Sequence, residues 1–313
     1  MSPQSPSSLP SSNPRPDTVE QPSGVAASAN VLRLALPKGR MQEGVFSLLA
    51  AAGVQVRLGS RGYRPQLSLP GIDAKILKPQ TILEMLHAGS RDLGFAGADW
   101  VQELGVDVVE VLDTGLDTVR LVVAAPSEIL VNGALPERPL VVASEFDRLT
   151  REWIAKRGKG DRFVRSYGAT EVFPPEDADC IVDITASGDT LRAQNLHIVD
   201  EVCRSSTRMY ANQRAMENPV KREAIERLTL LIKSVLHARE RVMLEMNVAG
   251  EALESLVAIL PCMREPTISP LHGGAGYAVK AAVPRRDLPM LIPAIKAKGG
   301  TDIVVTQPGQ IIP

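Results

Sequence analysis

The stretch Asp177–Leu196, DADCIVDITASGDTLRAQNL, gathers residue types that can hold a phosphorylated sugar. An apolar run, Cys180–Ile181–Val182, ends in a single acid, Asp183, and Thr185, Ser187, Gly188 and Thr190 follow before a helix-like segment. A glycine-containing turn that feeds a helix aims free backbone N–H groups and the positive end of the helix dipole at one spot, which suits phosphate. The hydroxyls add short hydrogen bonds. Asp183, at the strand end, is placed to accept from the vicinal hydroxyls of a ribose. The same residues also describe a strand, a turn and a helix capped by Asp189 or Thr190, so both readings stand on this stretch alone.

Basic residues at other strand ends shift the balance. LALPKGR sets Lys38 and Arg40 around a glycine just past the first predicted strand, LKPQTI sets Lys78 after another, and DTVRLVV brings in Arg120. One such side chain is ordinarily a solvated surface charge. Four beside a phosphate-type loop predict a ligand with several phosphates.

An α/β scaffold must position these groups. VLRLALP reads as a strand, and MQEGVFSLLAAAG as a helix with Val45, Leu48, Leu49 and Ala52 on one face and Gly53 as its stop. Further strands are predicted at AKILK, DLGFAG, VDVVEVL and VRLVVAAP, then at PLVVAS, RFVRSY and DCIVDI around the helix FDRLTREWIAKRG. Such alternation implies a largely parallel sheet with ligands at the C-terminal ends of its strands. Two units with a cleft between them are predicted from residue 31 to about residue 215. A long helix over NPVKREAIERLTLLIKSVLHARERV then leads into a segment ordered βαββαβ, the ferredoxin-like pattern. The first thirty residues hold eight Ser and six Pro and little to bury, which predicts a disordered tail without the apolar core of a secretion signal.

Composition narrows the function further. With 35 basic and 36 acidic residues the chain lacks the basic excess of a nucleic-acid-coating or membrane-surface protein. Aromatic residues, at 4%, offer few rings for base stacking, and no run of about 18 apolar residues exists to span a membrane. Cys180, Cys203 and Cys262 are far apart, which reads as reduced thiols in a cytoplasmic protein, without disulfides or a zinc site. His87, His197, His237 and His272 fall in no catalytic pattern.

Taken together, LRLALPKGRM, DLGFAGADWV, DTVRLVVAAP and DCIVDITASGDTLRAQNL resemble the ATP phosphoribosyltransferase family. LEMNV, LPCMREPTISPL and LIPAIKAKGGTDIVV are similar to the C-terminal regulatory domain of its long form. The resemblance implies a catalytic part of two lobes like a periplasmic binding protein (31–240) and a ferredoxin-like regulatory domain (241–313) after the tail (1–30). It implies transfer of the 5-phosphoribosyl group of phosphoribosyl pyrophosphate (PRPP) to N1 of ATP with release of pyrophosphate, the first step of histidine biosynthesis. Asp183, Thr185, Ser187, Gly188 and Thr190 would bind PRPP, and Lys38, Arg40, Lys78, Asp99 and Arg120 would serve ATP or pyrophosphate, with Arg40 and Asp183 catalytic. Asp99 fits a helix N-cap equally well. The resemblance also implies Mg²⁺ on the pyrophosphate oxygens, inhibition by L-histidine, a homo-oligomer (dimer or hexamer) and no separate regulatory subunit. The alternative from another class is a two-lobed binding protein without catalysis.

Three departures from the family pattern stand out. EVFPPEDADCIVD is one residue short and lacks a glycine, which weakens any role for Glu171. Lys78 replaces an arginine and so loses a two-pronged fork while keeping the charge. Asp189 would repel a phosphate if it faced one, so it is expected to point outward or to cap the helix.

Overall fold

A computed structural model describes residues 30–59 and 62–313, so all but the last residue of the predicted tail lies outside the described residues. One sheet of eight strands runs through the larger part of the chain. Its first flank is β1 (Leu32–Pro37), β4 (Ile72–Leu77) and β5 (Leu93–Gly97); a small ribbon of β2 (Val56–Arg57) and β3 (Gln66–Leu67) lies apart. Its second flank is β7 (Val141–Ser144), β8 (Arg162–Arg165) and β9 (Cys180–Thr185). Between them run two long strands, β6 (Val109–Pro126) and β10 (Leu196–Ala211), giving the order β4-β1-β5-β10-β6-β9-β7-β8.

The flanks are parallel, as alternation predicts, but the middle is antiparallel. β1 pairs in parallel with β4 and β5, and β7 with β8 and β9. β10 runs against β5 and β6, and β6 against β9. Two features correct the sequence reading. VDVVEVL and VRLVVAAP are one strand of 18 residues, because Gly115 (φ 64°) and Asp117 (φ 49°) bend the chain without ending its pairing. β10 was not anticipated, since Leu196–Arg204 is mostly exposed and shows no clean apolar alternation.

Both lobes share these long strands. Val109–Leu116 of β6 pairs with Thr207–Ala211, whose other edge carries β5. Val119–Pro126 pairs with Leu196–Ser205 and carries β9 on its far edge. The register slips at the change-over, between Ser205, Thr207 and Arg208. There Thr207 Oγ1 donates to Asp117 Oδ2 at 2.8 Å.

Helices cover the sheet. α1 (Arg40–Ala51) buries Val45, Leu48 and Leu49, with Ala52 just beyond it and Gly53 in the left-handed region (φ 82°), as the periodicity predicts. α2 (Pro79–His87) and α3 (Ala98–Leu104) follow β4 and β5; α4 (Asp147–Arg157) follows β7 and α5 (Asp189–Ala193) follows β9. The short α6 (Gln213–Glu217) turns the chain into α7 (Pro219–Glu240), which starts on Asn218 as N-cap with Pro219 in its first turn. Ile225, Leu228, Ile232 and Val235 of α7 join the core under β1 and β5. Each such buried side chain contributes about 1.5–3 kcal/mol.

β11 (Arg241–Val248) begins where α7 ends. With α8 (Leu253–Val257), β12 (Thr267–Pro270), β13 (Tyr277–Pro284), α9 (Leu288–Ala297) and β14 (Thr301–Thr306) it forms an antiparallel sheet of order β12-β13-β11-β14. Val242, Leu244, Met246 and Val248 alternate inward against Leu256, Leu291 and Ile295. This is the βαββαβ arrangement expected from the sequence.

Candidate functional site

The turn after β9 is built by its own side chains. Thr185 is buried, and its Oγ1 accepts from the Gly188 N–H at 2.9 Å, which closes the loop. Gly188 has φ 84°, a conformation that strains any residue with a Cβ, and it is the N-cap of α5. No side chain caps that helix, so the reading of Asp189 or Thr190 as the cap is corrected. Asp189 instead lies exposed, accepts from Ser187 Oγ and pairs with Arg192. Thr190 is exposed, and among the described residues its hydroxyl has no partner.

Asp183, Thr185, Ser187 and Thr190 line one hollow of about 310 Å³, together with Glu171 and Asp189. The Asp183 carboxylate accepts from the Ile184 N–H at 2.7 Å. Burial pushes its pKa up to about 6 against that bond, and the charges of Glu171 and Glu145 push it further the same way. Glu171 therefore faces the site although its spacing argued against it. Glu145 was missed; its signal was an acid just past an apolar run, VVASE, much as Asp183 follows the apolar run Cys180–Val182. Among the described residues no group of three or more His, Cys, Asp or Glu forms a metal cage. Asp183 and Glu171 on one hollow nevertheless fit an ion such as Mg²⁺, which takes one or two carboxylates and completes its shell with phosphate oxygens and water.

Lys38, Arg40 and Lys78 sit at strand ends of the first lobe, whereas Arg120, expected at a strand end, lies inside β6 on the stretch that carries β9, because the two predicted strands around it are one. Lys38 and Arg40 flank Gly39 (φ 85°) in the turn from β1 to α1. Arg40 Nη1 donates to the Asp117 carbonyl at 3.4 Å, at the bend of β6. Lys38 Nζ donates to Tyr63 Oη at 3.2 Å and lies 5.1 Å from the centre of that ring. Lys78 is the N-cap residue of α2 and makes no side-chain cap bond. Arg120 of β6 is in register with Thr185 and pairs with Glu201 at 3.5 Å.

Asp99 is not gathered into the hollow. It is 1% exposed in the first turn of α3, with Gly97 as the N-cap, so the capping reading does not hold. Ser205 Oγ donates to Asp99 Oδ1 at 2.7 Å and accepts from the Asp99 N–H at 3.1 Å. The acid thereby ties α3 to β10 where the pairing changes lobes.

Another tie was missed by sequence reading. Glu103 of α3 accepts from the Arg148 and Leu149 N–H groups at the start of α4, both at 3.1 Å. Trp100 stacks on Phe146 beside it, ring centres 4.7 Å apart. An acid on a buried helix face carries no local signal that its partner is a distant helix end.

Comparison with known proteins gives this architecture its kin. Residues 78–234 match the family model described as ATP phosphoribosyltransferase, and residues 238–307 the model described as HisG, C-terminal domain. The ATP phosphoribosyltransferase of Pelotomaculum thermopropionicum is 37% identical over 90% of this chain and 99% of its own. That of Chlorobaculum parvum is 36% identical over 88% and 96%. A solved structure described as an ATP phosphoribosyl transferase (HisG:HisZ) complex from Thermotoga maritima is similar at a TM-score of 0.57 and 28% identity, covering 65% of this chain and 99% of that one. The chain belongs to the ATP phosphoribosyltransferase family and carries that family's C-terminal domain.

Proposed function

We infer that this chain transfers the 5-phosphoribosyl group of PRPP to N1 of ATP, releasing pyrophosphate in the first step of histidine biosynthesis, and that the hollow below β9 is its PRPP site. The observation that supports this assignment is the convergence of Asp183, Thr185, Ser187 and Thr190 around the Gly188 turn. The Ala186–Thr190 segment receives the 5′-phosphate, with the Thr190 hydroxyl as donor and the Ser187 hydroxyl turning to it from Asp189. Asp183 accepts from the ribose hydroxyls. The adenine N1 attacks C1 of the ribose, the C1–O bond to pyrophosphate breaks, and the electron pair leaves with the pyrophosphate. Arg40 and Lys38, with Lys78 and Arg120, meet the phosphate chains, so charge gained by the leaving group faces fixed cations. Asp99 acts from behind, holding α3 to β10. Held by Asp183 and Glu171 together with substrate oxygens, Mg²⁺ would neutralise charge on the pyrophosphate.

The C-terminal domain is the regulatory part of this reading. L-Histidine binds it and lowers activity, a homo-oligomer forms, and no separate regulatory subunit is required. Among the described residues no helix is long and apolar enough to cross a membrane, and the free thiols suit the cytoplasm. Pyrophosphate release from ATP and PRPP tests the catalytic reading, since a binding protein without catalysis releases none. Histidine titrated into that assay is expected to reduce turnover several-fold to about a hundredfold, from a coupling of roughly 1–3 kcal/mol. Indifference to millimolar histidine would sink the regulatory claim and leave the catalytic one standing.

A further inference from the structure

A second basic hollow lies away from the β9 loop, where α7 meets the C-terminal domain. It has a volume of about 480 Å³ and is lined by Arg239, Glu240, Arg241, Pro284, Arg285 and Arg286. The fold brings these residues together for a definite reason. α7 runs into β11 without a loop, and Arg241 is in register with Pro284 at the end of β13. Arg239 in the last turn of the helix therefore meets Arg285 and Arg286, which follow β13.

These guanidinium groups are poorly matched within the chain. Among the described residues Arg239, Arg241 and Arg285 make no ion pair, and Arg286 has only Asp287 beside it at 3.6 Å. Glu240 lies in the same lining and pairs with none of them among the described residues. A basic last turn is common because cations favour the carbonyl end of a helix, but that end carries only about half a negative charge. Four guanidinium groups exceed Glu240, Asp287 and the helix end combined, so the hollow stays positive. Planar forks of this kind bind phosphate in pairs of parallel hydrogen bonds. Several forks around one hollow suit more than one phosphate.

We propose that this hollow binds an oligophosphate anion, the phosphate chain of a nucleotide or free pyrophosphate, outside the catalytic cleft. The site spans the junction between α7 and β11, so an occupant touches both parts of the chain at once.

The test titrates the full chain with ATP and, separately, with pyrophosphate and tripolyphosphate, following heat. The variant is Arg285→Ala with Arg286→Ala, both exposed side chains outside the proposed catalytic machinery. Wild type is expected to bind one equivalent more than the variant, because each lost guanidinium weakens an anion about tenfold. The variant keeps its KM for ATP and PRPP and its melting temperature, so failure here is separable from failure of the catalytic assignment. Arg239→Lys, which keeps the charge but loses the fork, is expected to weaken the extra site without abolishing it. Equal competition by pyrophosphate and ATP assigns the phosphate chain alone, while preference for ATP assigns a whole nucleotide. The same stoichiometry and affinity in wild type and double variant overturns the proposal. So does a double variant that changes only its mass in sedimentation, which would make the patch a contact between copies meeting an acidic surface.

Discussion

In the first lobe the chain places Lys38 and Arg40 after β1 and Lys78 after β4, whereas in the second lobe Glu145 follows β7 and Asp183 lies inside β9 near its end, with Thr185 and Ser187 alongside. Apart from Arg120, which lies beside Thr185 and pairs with Glu201, one lobe offers cations where the other offers acids and hydroxyls. A substrate with a ribose at one end and phosphates at the other needs both kinds of group, and neither lobe has the full set. The first lobe also separates structural cations from free ones. Arg33 and Lys221 both close on Asp92, which is 2% exposed, and these bonds hold its carboxyl below the usual carboxylate range against the cost of burial. Among the described residues Arg40 has a single weak bond to a carbonyl, and Lys38 a phenol for a partner. Cations left with so little are available to a ligand.

The strongest test of this division removes Arg40. Arg40→Ala is expected to lower kcat about a hundred- to a thousandfold, as for other donors that meet charge in the transition state. The melting temperature should hardly move, since among the described residues the side chain gives the fold only a 3.4 Å bond. A kcat within a few-fold of wild type would leave the cations of the first lobe without a part in the chemistry.

Asp183→Asn tests the acid side, and here stability and activity move in opposite directions. The pKa near 6 lies above the value of about 3.9 of an unfolded aspartate. Stability that Asp183 lends below pH 4 is therefore lost as pH rises through 6, when the buried carboxylate must ionise. The asparagine variant is expected to be more stable than wild type at pH 8, by on the order of 2 kcal/mol, with the advantage vanishing towards pH 4. Its kcat/KM for PRPP should fall about ten- to a hundredfold, from loss of a charge-assisted hydrogen bond. In wild type that parameter should rise with pH through 6, and in the variant the step should be gone. Thr190→Val should weaken PRPP use as well, without any stability gain, because its hydroxyl is exposed and among the described residues lacks a partner.

These residues differ in how visible they are in sequence. Asp183 and its loop were legible because strand, acid, turn and helix are consecutive. The small domain was legible too, since its strand alternation and its order need no distant information. β10 was not, because a strand buried mainly over Ser205–Ala211 shows little pattern before it is placed between two others. Asp99 is legible as an acid after a strand, but its bond to Ser205, 106 positions away, is not. Contacts of that range come from the crossing of β6 and β10, which local periodicity does not encode.

Glu103 gives the smallest of these effects and shows how the unlike lobes are held in place. α3 follows β5 of the first lobe and α4 follows β7 of the second, so a Glu103 bond to α4 spans the division. The residue before α4 is Phe146, which has no side chain for capping, and Leu149 is only 7% exposed. Without Glu103 the N–H groups of Arg148 and Leu149 lose their acceptor in a place that water reaches poorly. A lost helix cap costs about 1–2 kcal/mol. In a chain of this size that is roughly 2–3 °C in melting temperature for Glu103→Ala. Glu103→Gln keeps one acceptor oxygen and should lose about half as much. Because the bond sets the spacing of the lobes and touches no substrate, KM for ATP and PRPP should rise together by a small factor while kcat holds. A fall in kcat with both KM values unchanged would mean that Glu103 acts in the chemical step, and the distinction between structural and substrate-facing groups would fail at this seam.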